Sequence, residues 1–97
     1  MVRNYLEQEY YIAVFHSRNH AVQLYQYLKR KNILLFQLIS TPCKLKTGCS
    51  YSLKINRLRD LDLLKEEINQ LNNRFSYRIY HVTKVNGKKS YDLMEDI

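Results

Sequence analysis

The chain has 97 residues, the size of one domain, and 45% of them are hydrophobic. This composition is typical of a globular protein and excludes a disordered one. Sixteen Lys and Arg against nine Asp and Glu give a net charge of +7, which favours anionic partners such as RNA, acidic proteins or phosphates. No apolar run of about 18 residues is present, so we expect no transmembrane helix and no membrane partner.

The organisation along the chain predicts a single domain over residues 1–97. Residues 1–9 lack the apolar segment of a secretory signal and are expected to form an N-terminal extension. Residues 10–85 are expected to form the core, and 86–97 a tail or an extra strand. Without a signal, the protein is expected to be cytoplasmic, where thiols stay reduced.

The first half of the core alternates a strand, a helix and a strand. Residues 10–15 are a β-branched and aromatic run, typical of a strand. Ser17 is a candidate N-cap for a helix over residues 18–31, in which apolar residues recur at helical spacing. Asn32 is expected to end this helix. The apolar run over residues 33–39 has the length of a buried strand.

The second half repeats this order of elements. Small polar and apolar residues alternate over 51–55, which predicts a half-buried strand. Asp60 or Asp62 is expected to cap a second helix with one apolar stripe. Residues 75–85 are a fourth strand candidate, and Asn86-Gly87 is a tight-turn dipeptide.

The tail from residue 88 to 97 alternates poorly, which is compatible with a short extra strand or a frayed end. The preceding order of strand, helix, strand, strand, helix, strand is that of the ferredoxin-like motif. We therefore predict an α+β, ferredoxin-like βαββαβ fold, with an antiparallel four-stranded sheet and two helices on one face. Residues 41–48 would then connect the second and third strands.

The connection over residues 41–50 holds the only proline, both cysteines and one of the two glycines. Pro42 is expected to end the preceding strand, because proline has no N–H for a ladder. Gly48 allows a tight backbone turn directly before Cys49. The sequence therefore indicates a specifically shaped loop that presents a thiol.

The thiol chemistry of this loop has several interpretations. Lys44 and Lys46 are close to Cys49 in sequence, and nearby cations stabilise the nucleophilic thiolate. On these residues alone, a small buried cysteine at the start of a strand is the favoured interpretation of Cys49. Cys43 and Cys49 could also form a disulfide if their Cα atoms lie within roughly 7 Å. A structural zinc site needs four ligands, so no metal and no cofactor are expected.

One family resemblance is carried by these residues. A strand ending in Phe15-His16-Ser17, the helix after it, and the spacing from Pro42 to Cys49 resemble the selenium/sulfur carrier protein-like family of small bacterial proteins. The resemblance covers about residues 10–75. It implies that Cys49 accepts persulfide or perselenide sulfur from a donor protein, such as a cysteine desulfurase, and passes it to a partner.

The chain departs from the family pattern at two positions. Ser50 follows the cysteine where the family usually has glycine, and Cys43 follows the proline where arginine is common. An anion-binding side chain is thus replaced by a second thiol. We therefore consider Cys43 a candidate resolving thiol for Cys49.

The alternative function is a non-catalytic binding or regulatory module that uses the basic surface for RNA or a protein. Nine tyrosines suit a base-stacking sheet, but residues 50–55 lack the RNA-recognition motif, so nucleic acid is the less favoured partner. An open sheet face also suits a homodimer. No nucleophile–base pair is recognisable, so we expect no enzyme.

Overall fold

The computed structural model describes residues 6–45, 51–71 and 75–96. The elements in chain order are β1 (Leu6–Phe15), α1 (Arg18–Arg30), β2 (Phe36–Ser40), a 3-10 turn (Cys43–Leu45), β3 (Tyr51–Ile55), α2 (Leu58–Gln70), β4 (Tyr77–Val85) and β5 (Lys88–Asp96). The strands form one sheet in the order β2-β3-β1-β4-β5. Every neighbouring pair is antiparallel.

The prediction of a four-stranded ferredoxin-like fold is wrong, because Lys88–Asp96 adds a fifth strand to the sheet. This strand pairs with β4 from Val85↔Lys88 onward. The turn between them has φ angles of 52° at Asn86 and 79° at Gly87, the signs of the type I′ turn that suits a hairpin. Edge strands commonly carry charged residues. The charged residues of β5 obscure the alternation of apolar and polar residues by which a strand is recognised in a sequence.

Helix α1 begins and ends where its local sequence predicts. The Ser17 Oγ accepts a hydrogen bond from the Asn19 N–H at 3.2 Å, which confirms the N-cap. Asn32 adopts a left-handed φ of 61°, and the Ile33 N–H donates to the Leu28 carbonyl oxygen at 2.9 Å. This is the Schellman arrangement, so Asn32 ends the helix as predicted.

Four other element starts differ from prediction. Strand β2 begins at Phe36 and not at residue 33, since Leu34 and Leu35 are exposed and lie before it, and β4 begins at Tyr77 and not at residue 75.

Helix α2 begins at Leu58 with Arg57 at its N-cap and no side-chain cap. Capping by Asp60 or Asp62 is therefore wrong. Asp60 lies in the first turn, where its charge interacts favourably with the helix dipole instead. Strand β1 already begins at Leu6, because the long β4 pairs with its polar first half.

The sheet buries apolar side chains on both faces, since successive residues of a strand point to opposite sides. On the helix face, Phe15, Leu53 and Ile79 pack with Leu24 and Leu64 of the two helices. The other face, called here the second face, has a cluster of its own. Its buried members are Tyr10, Ile12, Val14, Tyr80 and Val82. Neither α1 nor α2 contributes to this cluster. The partly buried residues that pack against it are Ile39, Leu45 and Tyr91.

The two helices are joined by a polar contact at their ends. The side chain of Glu67 is only 8% exposed and lies 2.6 Å from the Nζ of Lys31. The Tyr27 hydroxyl donates to the same Glu67 oxygen at 3.4 Å. Neither helix in the described ranges combines the length and the apolar character needed to cross a membrane.

Candidate functional site

The first half of the cysteine-bearing connection folds back onto the second face of the sheet. The Thr41 Oγ1 is 2.7 Å from the Oγ of Ser52, a fully buried residue of β3. The Leu45 N–H donates to the Pro42 carbonyl oxygen at 3.1 Å, which closes the 3-10 turn. Leu45 then packs against the apolar cluster of the second face. Residues 41–45 are thus anchored at both of their ends.

Cys43 lies in this turn as a free, exposed thiol. It lines an open pocket of about 900 Å³ between the turn and the β4–β5 hairpin. Residues 42–44 form one wall, and Lys84 with residues 87–91 supplies the other. We call this the lysine pocket. The sheet order brings the hairpin across from the turn, although the two are far apart in sequence.

The lysine pocket has an excess of positive charge. Its lining includes four lysines, which are Lys44, Lys84, Lys88 and Lys89. A Glu7 oxygen lies 3.8 Å from the Lys84 Nζ, and the other Glu7 oxygen accepts the Gly87 N–H at 2.8 Å. For the other three lysines, the described residues provide no carboxylate within ion-pair distance. The pocket therefore attracts anions.

The positive charge continues from the pocket onto the second face. The Nζ of Lys54 is 4.5 Å from the ring centroid of Tyr10, and the Nζ of Lys89 is 5.9 Å from it. Tyr10 itself is only 8% exposed. Both amino groups are held near an apolar ring by a cation–π attraction. Lys89 thus both lines the lysine pocket and contacts the Tyr10 ring on the second face.

The residues predicted for the site fall into two groups. Pro42, Cys43 and Lys44 lie together in one wall of the lysine pocket. Pro42 is two residues past the end of β2 and supplies the acceptor that closes the turn. The remaining predicted site residues lie outside the described residues, and they are Lys46, Gly48 and Cys49.

Sequence reasoning missed the second wall of the pocket. Lys84, Lys88 and Lys89 come from the β4–β5 hairpin, and the only local signal was a Lys-Lys pair directly after the Asn86-Gly87 turn. Over the described part of the chain, no cluster of three or more His, Cys, Asp or Glu could hold a metal. What the pocket offers chemically is an exposed cysteine thiol in a lining that also carries four lysine ammonium groups.

The comparisons with known proteins agree with the resemblance seen at the cysteines. A family model described as "Putative Se/S carrier protein-like" matches residues 10–79. The match runs from within β1 to within β4 and includes the whole 41–50 connection with both cysteines. No curated protein and no solved structure matches the chain. The chain belongs to the family of Se/S carrier protein-like proteins.

Proposed function

We propose that the protein is a cytoplasmic, non-enzymatic carrier that accepts sulfur or selenium on Cys49 and passes it to a partner. The observation that carries the proposal is the family match over the connection that holds both cysteines. The exposed Cys43 thiol supports it, because residues 42–44 present a sulfur atom at the surface within reach of a partner.

Loading requires no oxidant beyond the donor. The Cys49 thiolate attacks the outer sulfur of a persulfide on a cysteine desulfurase. The sulfur–sulfur bond of the donor breaks, and the donor cysteine leaves as a thiolate. Cys49 then carries the persulfide. A perselenide is transferred in the same way, with selenium as the atom attacked.

Release can use either a partner or the second thiol of this chain. A nucleophile of the partner attacks the outer sulfur and leaves Cys49 as a thiolate. In the absence of a partner, Cys43 attacks the inner sulfur, hydrosulfide leaves, and a Cys43–Cys49 disulfide forms. A cellular dithiol reductant then restores both thiols. Cys43 would thus act as the resolving thiol, and its exposure suits this role.

Mass spectrometry of the full-length, reduced protein tests the carrier role. The protein is incubated with a cysteine desulfurase and cysteine, alkylated, and digested with trypsin. Trypsin cleaves after Lys44 and Lys46, so Cys43 and Cys49 fall into separate peptides. We expect one added sulfur atom on the Cys49 peptide of the Cys43→Ser variant.

The matched control is Cys49→Ser, in which the added sulfur should be lost although Cys43 remains. Sulfur on the Cys43 peptide alone would reverse the two assignments. No adduct on either peptide, under conditions in which the desulfurase persulfide itself is detected, would overturn the carrier role. Homodimer formation stays a separate prediction, to be measured by light scattering.

A further inference from the structure

We infer that the lysine pocket is a binding site for a small organic phosphate, a molecule that carries two or more phosphate charges on a ring-containing body. This goes beyond sulfur carriage, because such binding requires no persulfide or perselenide on either cysteine. Lys84, Lys88 and Lys89 lie beyond residue 79, where the family match ends. The site is therefore built by the hairpin of this chain rather than by the matched region alone.

The charge of the pocket indicates an anion with more than one negative charge. Four lysines line it and, among the described residues, no Asp or Glu does. The Glu7 carboxylate, which lies near Lys84, also accepts the Gly87 N–H. Ammonium groups gathered in one pocket repel one another. A lysine ammonium is a compact point charge that binds phosphate oxygens well. A polyphosphate group would relieve the repulsion among Lys44, Lys88 and Lys89.

The size and the walls of the pocket indicate an organic ligand. Its volume of about 900 Å³ greatly exceeds that of inorganic phosphate, and it lies within the roughly 300–1,000 Å³ of small-molecule sites. Pro42 and the Tyr91 ring provide apolar surface in its lining, and lysine side chains add their aliphatic stems. These surfaces suit a planar ring beside the phosphate group.

An extended RNA strand fits this surface less well. Single strands bind on exposed aromatic rings that stack successive bases. Tyr91 is the single aromatic residue in the described lining of the pocket, so no row of rings is available there. Tyr10, on the second face, is buried and has Lys54 over its ring. It offers no free stacking surface. The positive charge is thus better suited to one small ligand in the pocket than to an extended RNA strand.

Both walls of the pocket are held in place before a ligand arrives. The turn wall is fixed by the Thr41–Ser52 hydrogen bond and by the packing of Leu45. The hairpin wall is fixed by its turn and by the hydrogen bond from the Gly87 N–H to Glu7. Such preorganisation reduces the entropy lost on binding.

Calorimetric titration of the full, reduced chain at low salt tests the inference, with ATP, pyrophosphate and inorganic phosphate as probes. We expect ATP to bind with a Kd of about 1 mM or lower, and more tightly than inorganic phosphate. The pocket variant Lys44→Gln/Lys89→Gln should weaken binding about tenfold, because two charge-assisted hydrogen bonds to phosphate are lost. The matched control, Lys29→Gln/Arg59→Gln, removes the same charge from exposed helix positions and should change the Kd less than about twofold.

Alkylation of Cys43 gives a second readout inside the pocket. ATP should slow the alkylation of the Cys43 peptide by iodoacetamide several-fold. The Cys49→Ser variant should bind ATP normally, so failure of the sulfur-carrier proposal and failure of this one are distinguishable. Three outcomes would overturn the inference: no binding up to 10 mM, a level at which about 1 mM affinity is saturating; equal weakening in both double variants; or tighter binding of a single-stranded RNA oligonucleotide than of ATP.

Discussion

The hydrogen bond between Thr41 and Ser52 ties the cysteine-bearing connection to the sheet, and its removal has an asymmetric cost. The two hydroxyl oxygens are 2.7 Å apart, and Ser52 is fully buried. Thr41→Val keeps the shape of the side chain but leaves the buried Ser52 hydroxyl without this partner, which costs about 1–3 kcal/mol. Ser52→Ala leaves the partly exposed Thr41 hydroxyl in reach of water, and costs about 0.5–1.5 kcal/mol.

A double-mutant cycle measured by urea unfolding checks this reasoning. The variant with both substitutions leaves no unpaired hydroxyl, so it should be more stable than the sum of the single costs predicts, by about 1 kcal/mol. The dependence of the unfolding free energy on urea should be unchanged. Alkylation of Cys43 should also be faster in Thr41→Val, because the turn is less firmly held.

Two results would refute this account of the anchor. A Thr41→Val protein that is within about 0.5 kcal/mol of the wild type would show that the Ser52 hydroxyl loses nothing. A double variant whose cost equals the sum of the single costs would show that the two side chains do not interact.

Three further predictions concern the frame around the site. Glu67→Gln should lower the thermal midpoint by about 4–8 °C at neutral pH. The hydrogen bond to Glu67 raises the pKa of Lys31. The stabilisation by the Lys31–Glu67 contact is complete below the ordinary lysine pKa and is lost as pH rises through the raised pKa of Lys31. The difference in thermal midpoint between Glu67→Gln and the wild type should therefore shrink at alkaline pH, and a difference that grows there would contradict this. Gly87→Ala should cost about 1–2 kcal/mol in urea unfolding. The cost is one of backbone strain, because φ at Gly87 is 79° and an added Cβ would contact nothing. Gly87→Asn should cost less, since asparagine tolerates this conformation, and equal costs would argue against backbone strain. Ser17→Ala should cost about 1 kcal/mol through the lost cap, and an unchanged urea midpoint would contradict it.

The sequence predicts the elements whose ends carry local signals. Ser17 caps α1, Asn32 ends it, and Asn86-Gly87 forms a turn, because each depends on one or two residues and their own backbone. For residues 88–97 the sequence left an extra strand and a frayed tail both open, since a charged edge strand is stabilised by its neighbour and not by its own pattern. The early start of β1 at Leu6 likewise depends on the length of β4.

The candidate site, like the fold, is predictable only where a local residue pattern marks it. The concentration of Pro42 and Cys43 in one connection is visible in the sequence, as is its match to the family. The lysines that face Cys43 across the pocket come from the opposite end of the chain. Only the strand order brings them there, and no local residue pattern reports a strand order.

The central position of β1 has a consequence for the order of assembly. Its two partners, β3 and β4, both follow it in the chain. Strands β2 and β3 are joined by ten residues, and β4 and β5 by two, whereas Tyr11 of β1 pairs with the distant Ile55 and His81. Because closing a longer loop costs more entropy, we expect the pairing of β1 to be the slower step. The Cys43 turn belongs to the first hairpin and the pocket lysines mostly to the second. The two walls of the lysine pocket are therefore brought together only when both hairpins have paired with β1, and a completed pocket marks a chain in which both halves of the sheet have closed.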